Sequence, residues 1–237
     1  MRVLVVTAVP VERDAVTRAF GGAEEQLSLP GAELHRRGAF DVLAGGAGPA
    51  AAAAATAFAL APGALASSPY GLVVSAGIGG AFTPVTPLGS LVVADGIVAA
   101  DLGAETAEGF LPVTALGFGR DRFAPPPALV REVAAATGAA TGPVLTVSTV
   151  TGTAERAGAL LAAHPGALAE AMEGFGVAEA AARAGVPVLE VRAVSNAVGP
   201  RDRDAWRIGD ALAALTDAFG ASASVLEGWN SHENLEG

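Results

Sequence analysis

Three polar residues stand in apolar surroundings where chemistry could be done: Glu12, Glu173 and Asn196. Glu12 follows the β-branched run Arg2–Val6 and the helix-opening Pro10. A carboxylate at the mouth of a sheet can take a proton from water as a general base. A solvated first-turn glutamate favoured by the helix dipole explains the same spacing. Glu173 lies in AEAMEGFGVAEAAA (169–182), which reads as helix; that spacing sets Glu173 beside Val177 and leaves Glu170 and Glu179 able to face water. A carboxylate on an apolar face needs a partner or a task, and a salt bridge to Arg192 is the plain structural alternative. Ser195-Asn196 closes an apolar run. It could be a simple turn, or it could aim an amide, donor and acceptor together, at two adjacent atoms of a heterocycle. The glycine loops expected at Gly45–Gly48 and Gly77–Gly80, including Gly77, Ile78 and Gly79, would let backbone approach a ligand. Neither fits the dinucleotide fingerprint, and the phosphate loop requires a lysine that this chain lacks.

These residues must be positioned by strands that alternate with helices. Strands are expected at 2–6, 71–75, 90–100, 143–150 and 186–195, with a hairpin at 33–37 and 40–43. Helices are expected at 11–20, 50–61, 125–137, 153–163, 168–184 and 208–226. The range 101–112 reads as an acidic loop, and 228–237 as a disordered tail. The pattern predicts α/β architecture: three layers, α/β/α, around a mixed, mostly parallel central sheet, in one domain over 1–227. Ligands of such sheets bind outside the carboxyl ends of the strands, where Glu12, both glycine segments, Val150-Thr151 and Asn196 all fall.

Composition removes several function classes. The 237 residues include no cysteine, so disulfide scaffolds, thiolate metal sites and cysteine nucleophiles are excluded. All 14 basic residues are arginine, so no side-chain amine can form a Schiff base. A net charge of −10 disfavours a nucleic-acid surface, and 3 histidines make a His-rich metal site unexpected. The charge-free stretch 42–94 is broken by prolines and glycines, which argues for buried strands and an Ala-rich helix over a membrane span. The N-terminus lacks a signal-peptide pattern, and a cytoplasmic protein is expected.

Taken together, VVTAVPVE, VSAGIGGAF with GSLVVADGIVAAD, AMEGFGVA and VRAVSNAVG resemble the nucleoside phosphorylase/nucleosidase superfamily over about 1–215. They are similar to the methylthioadenosine/S-adenosylhomocysteine nucleosidases, except that Asn196 stands where those carry aspartate. With SNAVGPRDRDAWRIGDAL, the Asn makes the chain resemble most the futalosine hydrolases of that superfamily. The resemblance implies hydrolysis of an N-ribosidic bond, releasing hypoxanthine from futalosine on a route to menaquinone. Glu12 would activate water. Glu173, with the backbone near Met172, would hold the ribose hydroxyls. Asn196, beside Ser195, would contact N7 and the 6-position. Val150 and Thr151 would flank the base, Val150 replacing an aromatic residue of the relatives. The resemblance implies no metal and no organic cofactor, and a homo-oligomer in which the 101–112 segment helps close a neighbour's 5′ pocket.

Chemistry supports the 6-oxopurine reading, because an amide can donate to O6 while accepting from N7–H. The benzoate carboxylate of futalosine needs a cation or amides, and Arg201 or Arg203 could swing over it as part of a lid. Ion pairing of Arg201, Arg203 and Arg207 with Asp202, Asp204 and Asp210 is the plainer expectation. The alternatives are a methylthioadenosine-type nucleosidase, a phosphorylase, and a nucleoside-binding protein without turnover. Glycine segments free of Arg count against phosphorolysis, and the retention of both glutamates counts against mere binding.

Overall fold

A computed structural model describes residues 1–61 and 70–229. The chain runs β1 (Arg2–Thr7), α1 (Pro10–Thr17), β2 (Glu25–Leu29), β3 (Ala32–Arg37), β4 (Phe40–Ala44), α2 (Pro49–Leu60), β5 (Tyr70–Ala81) and β6 (Leu91–Ala99). It continues through β7 (Gly103–Thr106), β8 (Gly109–Pro112), β9 (Arg122–Phe123), α3 (Pro127–Thr137), β10 (Ala140–Thr146) and α4 (Ala154–Ala163). The last elements are β11 (Ala169–Ala171), α5 (Gly174–Arg183), β12 (Val188–Ala197) and α6 (Ile208–Gly228).

The central sheet is mixed, in the order β11-β10-β6-β12-β5-β1-β4-β3-β2. Its middle is parallel: β4 with β1, β1 with β5, and β5 with β12. The run RVLVVT is buried on both sides, as a central parallel strand must be. Val3 and Val5 face one apolar cluster with Val16 of α1, Leu129 of α3 and Phe219 of α6. Leu4 and Val6 face another with Ala52 of α2 and Val177 of α5. Three layers result, as expected. β11 also pairs antiparallel with the end of β5, so β5, β12, β6, β10 and β11 close on one another.

Four expectations are corrected. Gly77–Gly80 is not a loop, because β5 continues through it to Ala81, paired with β12 as Gly77 to Arg192 and Gly79 to Val194. Its glycines are there because side chains would collide: a Cβ at Gly77 would lie 2.7 Å from Glu12 Oε1 and 2.8 Å from an Arg192 guanidinium nitrogen. The range 168–184 is not one helix. Ala169–Ala171 pairs with both β10 and β5, and α5 begins only at Gly174, so tertiary pairing overrides the helix propensity of alanine. The range 101–112 contains the β7–β8 hairpin rather than an irregular loop. α6 extends through Gly228 and Trp229 is buried, so these residues do not belong to a loose tail; the rest of the expected tail lies outside the described residues. β2, pairing with β3, was not signalled by periodicity. No helix among the described residues is long and apolar enough to cross a membrane.

Candidate active site

The strand ends converge on a cavity of about 270 Å³ lined by Glu12, Ile78, Gly79, Val150, Thr151, Glu170, Met172, Glu173, Ser195, Asn196, Arg201 and Trp206, among others. The volume suits a small molecule near the lower end of the usual range. Of the residues expected to contact substrate, only Gly77 and Arg203 do not line it. Gly77 instead leaves room for the Glu12 carboxylate and the Arg192 guanidinium beside the cavity.

Glu12 is 3% exposed, which rules out the solvated reading. It occupies the first turn of α1 and bends back, its Oε2 accepting from the backbone N–H of Ala8 at 3.0 Å and of Val9 at 3.3 Å. Oε1 accepts from Ile78 N–H at 2.8 Å, tying α1 to β5. A carboxylate has about four lone-pair positions; three are taken, and Oε1 keeps one for a water proton. Burial pushes the Glu12 carboxyl above its ordinary value, opposed by the Ile78 bond and the charge of Arg192.

Glu173 caps the N-terminus of α5 rather than sitting inside a longer helix, and the i+4 relation to Val177 holds: its carbonyl accepts from Val177 N–H at 3.1 Å. It is buried; Oε1 accepts from Gly48 N–H at 3.1 Å and Oε2 from Arg192 at 3.2 Å. Gly48 adopts φ +90, open to glycine at little cost, and so directs its N–H at the carboxylate. The salt bridge to Arg192 exists, yet Glu173 also lines the cavity, so the two readings of this residue are compatible. Arg192 is fully buried on β12, donating to Glu190 at 2.9 Å and Ser75 Oγ at 3.0 Å as well. Burial pushes the Glu190 carboxyl up, and Arg192 opposes this.

Asn196 lies just beyond a bulge: the β12–β5 register shifts between Val194 and Asn196, with Ser195 the extra residue. Bulges re-aim side chains, and this one turns the amide into the cavity rather than into a simple turn. Ser195 Oγ donates to Asn196 Oδ1 at 2.8 Å, and Asn196 Nδ2 donates to the Ala197 carbonyl at 3.0 Å. These bonds fix which end of the amide is which, and leave one acceptor position and one N–H for a ligand.

Two cavity residues were missed by sequence reasoning. Glu170 does not face water; it is buried, its two oxygens accepting from Thr151 N–H at 2.9 Å and from Thr151 Oγ1. Burial pushes its carboxyl up, and the Thr151 bonds pull the other way. The helical assignment of 168–184 hid it. Trp206 stands among charged neighbours that mask it, though a lone tryptophan in such a connector is itself a signal. The Arg201 and Arg203 guanidinium groups sit 5.1 and 5.8 Å from its ring centroid. The expected ion pair forms at Arg207, which meets Asp210; Arg201 and Arg203 lie over the indole instead. No cluster of His, Cys, Asp or Glu suited to a metal ion occurs among the described residues.

Residues 32–227 match the family model described as the phosphorylase superfamily. A futalosine hydrolase of Streptomyces coelicolor is 68% identical over 98% of this chain and all of its own. The chain belongs to the phosphorylase superfamily, in its futalosine hydrolase family. At the level of fold, the native structure of futalosine hydrolase of Helicobacter pylori aligns with TM-score 0.80 at 18% identity, covering 95% of this chain and 98% of that one. A methylthioadenosine/S-adenosylhomocysteine nucleosidase of S. pneumoniae with a transition-state inhibitor aligns with TM-score 0.78 at 19% identity, covering 93% and 99%. Membership in the futalosine hydrolase family makes this chain an N-glycosyl hydrolase.

Proposed function

We propose that this hydrolase cleaves the N-ribosidic bond of futalosine, with Glu12 as general base, Glu173 on the ribose hydroxyls and Asn196 on the hypoxanthine. The observation that carries the assignment of roles is the meeting of these three side chains in one cavity. Bond cleavage builds oxocarbenium character on the sugar and negative charge on the base. Glu12 takes a proton from water as its oxygen attacks the anomeric carbon, and its charge favours the cationic sugar. Glu173, pinned by Gly48 and Arg192, orients the sugar by accepting from its hydroxyls. Asn196 cannot supply a proton; solvent protonates N7, the amide oxygen accepts from N7–H, and the amide nitrogen donates to O6. Hypoxanthine leaves, and dehypoxanthinyl futalosine remains with the new hydroxyl.

Arg201, at the cavity rim, meets the benzoate carboxylate, a geometry for which the planar guanidinium is suited. Phosphorolysis is disfavoured because Arg192, the cation between Glu12 and Glu173, is buried and engaged with Glu190, Glu173 and Ser75. The active species is a homo-oligomer whose β7–β8 region, exposing Phe110 and Leu111, covers a neighbouring 5′ pocket. Futalosine incubated with the pure protein in phosphate-free buffer should release hypoxanthine, followed by chromatography. A strict phosphate requirement, or release from adenine nucleosides alone, would overturn the assignment.

A further inference from the structure

The cavity contains a third buried carboxylate to which the steps above give no task. Glu170 pairs across β11 and β5 with Gly80, and Gly80 pairs across β5 and β12 with Asn196. Side chains at paired positions of neighbouring strands project to the same face. Glu170 and Asn196 therefore rise on either side of a residue that has no side chain. The gap is needed: a Cβ on Gly80 would lie 2.9 Å from a Val198 methyl carbon and 3.2 Å from Asn196 Nδ2. Each strand pairing separates Cα atoms by about 5 Å, so the two polar side chains flank a floor that a flat bicyclic base can cover. Thr151 donates to both Glu170 oxygens, one from its N–H and one from its hydroxyl. Each oxygen keeps a further lone pair, and the carboxylate lines the cavity.

An ionised carboxylate only accepts hydrogen bonds. A 6-oxopurine presents a donor, N1–H, next to O6. A 6-aminopurine presents a bare nitrogen lone pair at the same place. We propose that Glu170, clamped by Thr151, accepts the N1–H of the 6-oxopurine base and repels 6-aminopurines, so that it and Asn196 read adjacent edges of one ring. This specificity role rests on the reading that the cleft takes a 6-oxopurine nucleoside.

The test compares kcat/KM of the wild type and Glu170→Gln on futalosine and on its 6-amino counterpart, which shares the sugar and the benzoate. A lost buried hydrogen bond predicts a fall of about tenfold or more on futalosine. The 6-amino compound should be unaffected or improved, because the glutamine amide can donate to its bare N1. Equal losses on both would make Glu170 a mere support for Thr151 and overturn the proposal, as would no loss on either. The wild type supplies a second measurement that needs no variant. Hypoxanthine should inhibit at least about tenfold more strongly than 1-methylhypoxanthine, which lacks the N1 donor; equal inhibition overturns the proposal. A wild type that releases no hypoxanthine from futalosine would instead overturn the substrate assignment, whereas an active wild type with an unmoved selectivity ratio overturns the Glu170 role alone.

Discussion

Glu12 combines two properties that a general base needs: burial that holds its pKa up, and one lone pair left open by three backbone donors. Glu12→Gln should lower kcat by about 10²–10⁴-fold with KM little changed, since the amide keeps the shape but takes no proton. Steady-state kinetics checks this, and near-normal turnover would remove Glu12 from the mechanism. The pH dependence follows in sign. The base works ionised, and its pKa lies above the ordinary carboxylate value, so kcat should fall as pH drops through that raised pKa. A kcat profile flat down through the ordinary carboxylate range would contradict it. Asn196→Asp should shift the ratio of specificity constants from 6-oxo toward 6-aminopurine nucleosides by about tenfold or more, because a carboxylate cannot donate to O6. An unchanged ratio would show that Asn196 does not read the 6-position.

At the scale of elements, the site depends on a close approach that glycine permits. α5 packs on the start of α2 so tightly that a Cβ at Gly176 would lie 2.0 Å from the Pro49 carbonyl oxygen. Backbone cannot rotate away as a side chain can, so Gly176→Ala must push the helices apart. A loss of about 1–3 kcal/mol is expected, typical of overpacking. Because Glu173 and its donor Gly48 stand at the facing ends of these helices, kcat/KM should fall in the same variant. Chemical denaturation and kinetics measure the two effects; a variant with unaltered stability would mean that the helices have slack. The same scale shows what spacing could reveal. The β-branched run of β1 and the Thr153-capped α4 were legible because local pattern and final environment agree. Ala169–Ala171 was not, because alanine favours helix and only pairing with β10 and β5 holds it extended.

For the whole molecule, the proposed closure of the cavity by Arg201 and by a neighbour's β7–β8 region sets two expectations. Arg201→Ala should raise KM for futalosine and leave inosine, which lacks the benzoate, nearly unchanged. Arg203→Ala should do much less, since Arg203 does not line the cavity. Equal effects of Arg201→Ala on both substrates would send the benzoate elsewhere. Phe110 and Phe118 are exposed near one another in sequence. Phe110→Asp should lower the mass seen by light scattering toward the monomer and raise KM for futalosine; an unchanged mass would remove the β7–β8 region from the proposed subunit contact.

The α/β layering, the identity of the three polar residues at strand ends and the chemistry that an amide in place of a carboxylate allows can all be read from the chain before it folds. These follow from residue type and local periodicity, which need no distant partner. That Gly77–Gly80 is strand, that α5 starts only after Glu173, and that Glu170 turns inward to Thr151 emerge with the assembled sheet. Each of these is set by a contact between segments far apart in the chain: Gly77 is kept bare by Glu12 and Arg192, and Glu170 is held opposite Gly80 by a pairing that joins β11 to β5. Local propensity differs between such alternatives by no more than about 1 kcal/mol per residue. Burial and hydrogen bonding across the sheet outweigh that preference, and they exist only once the strands have met.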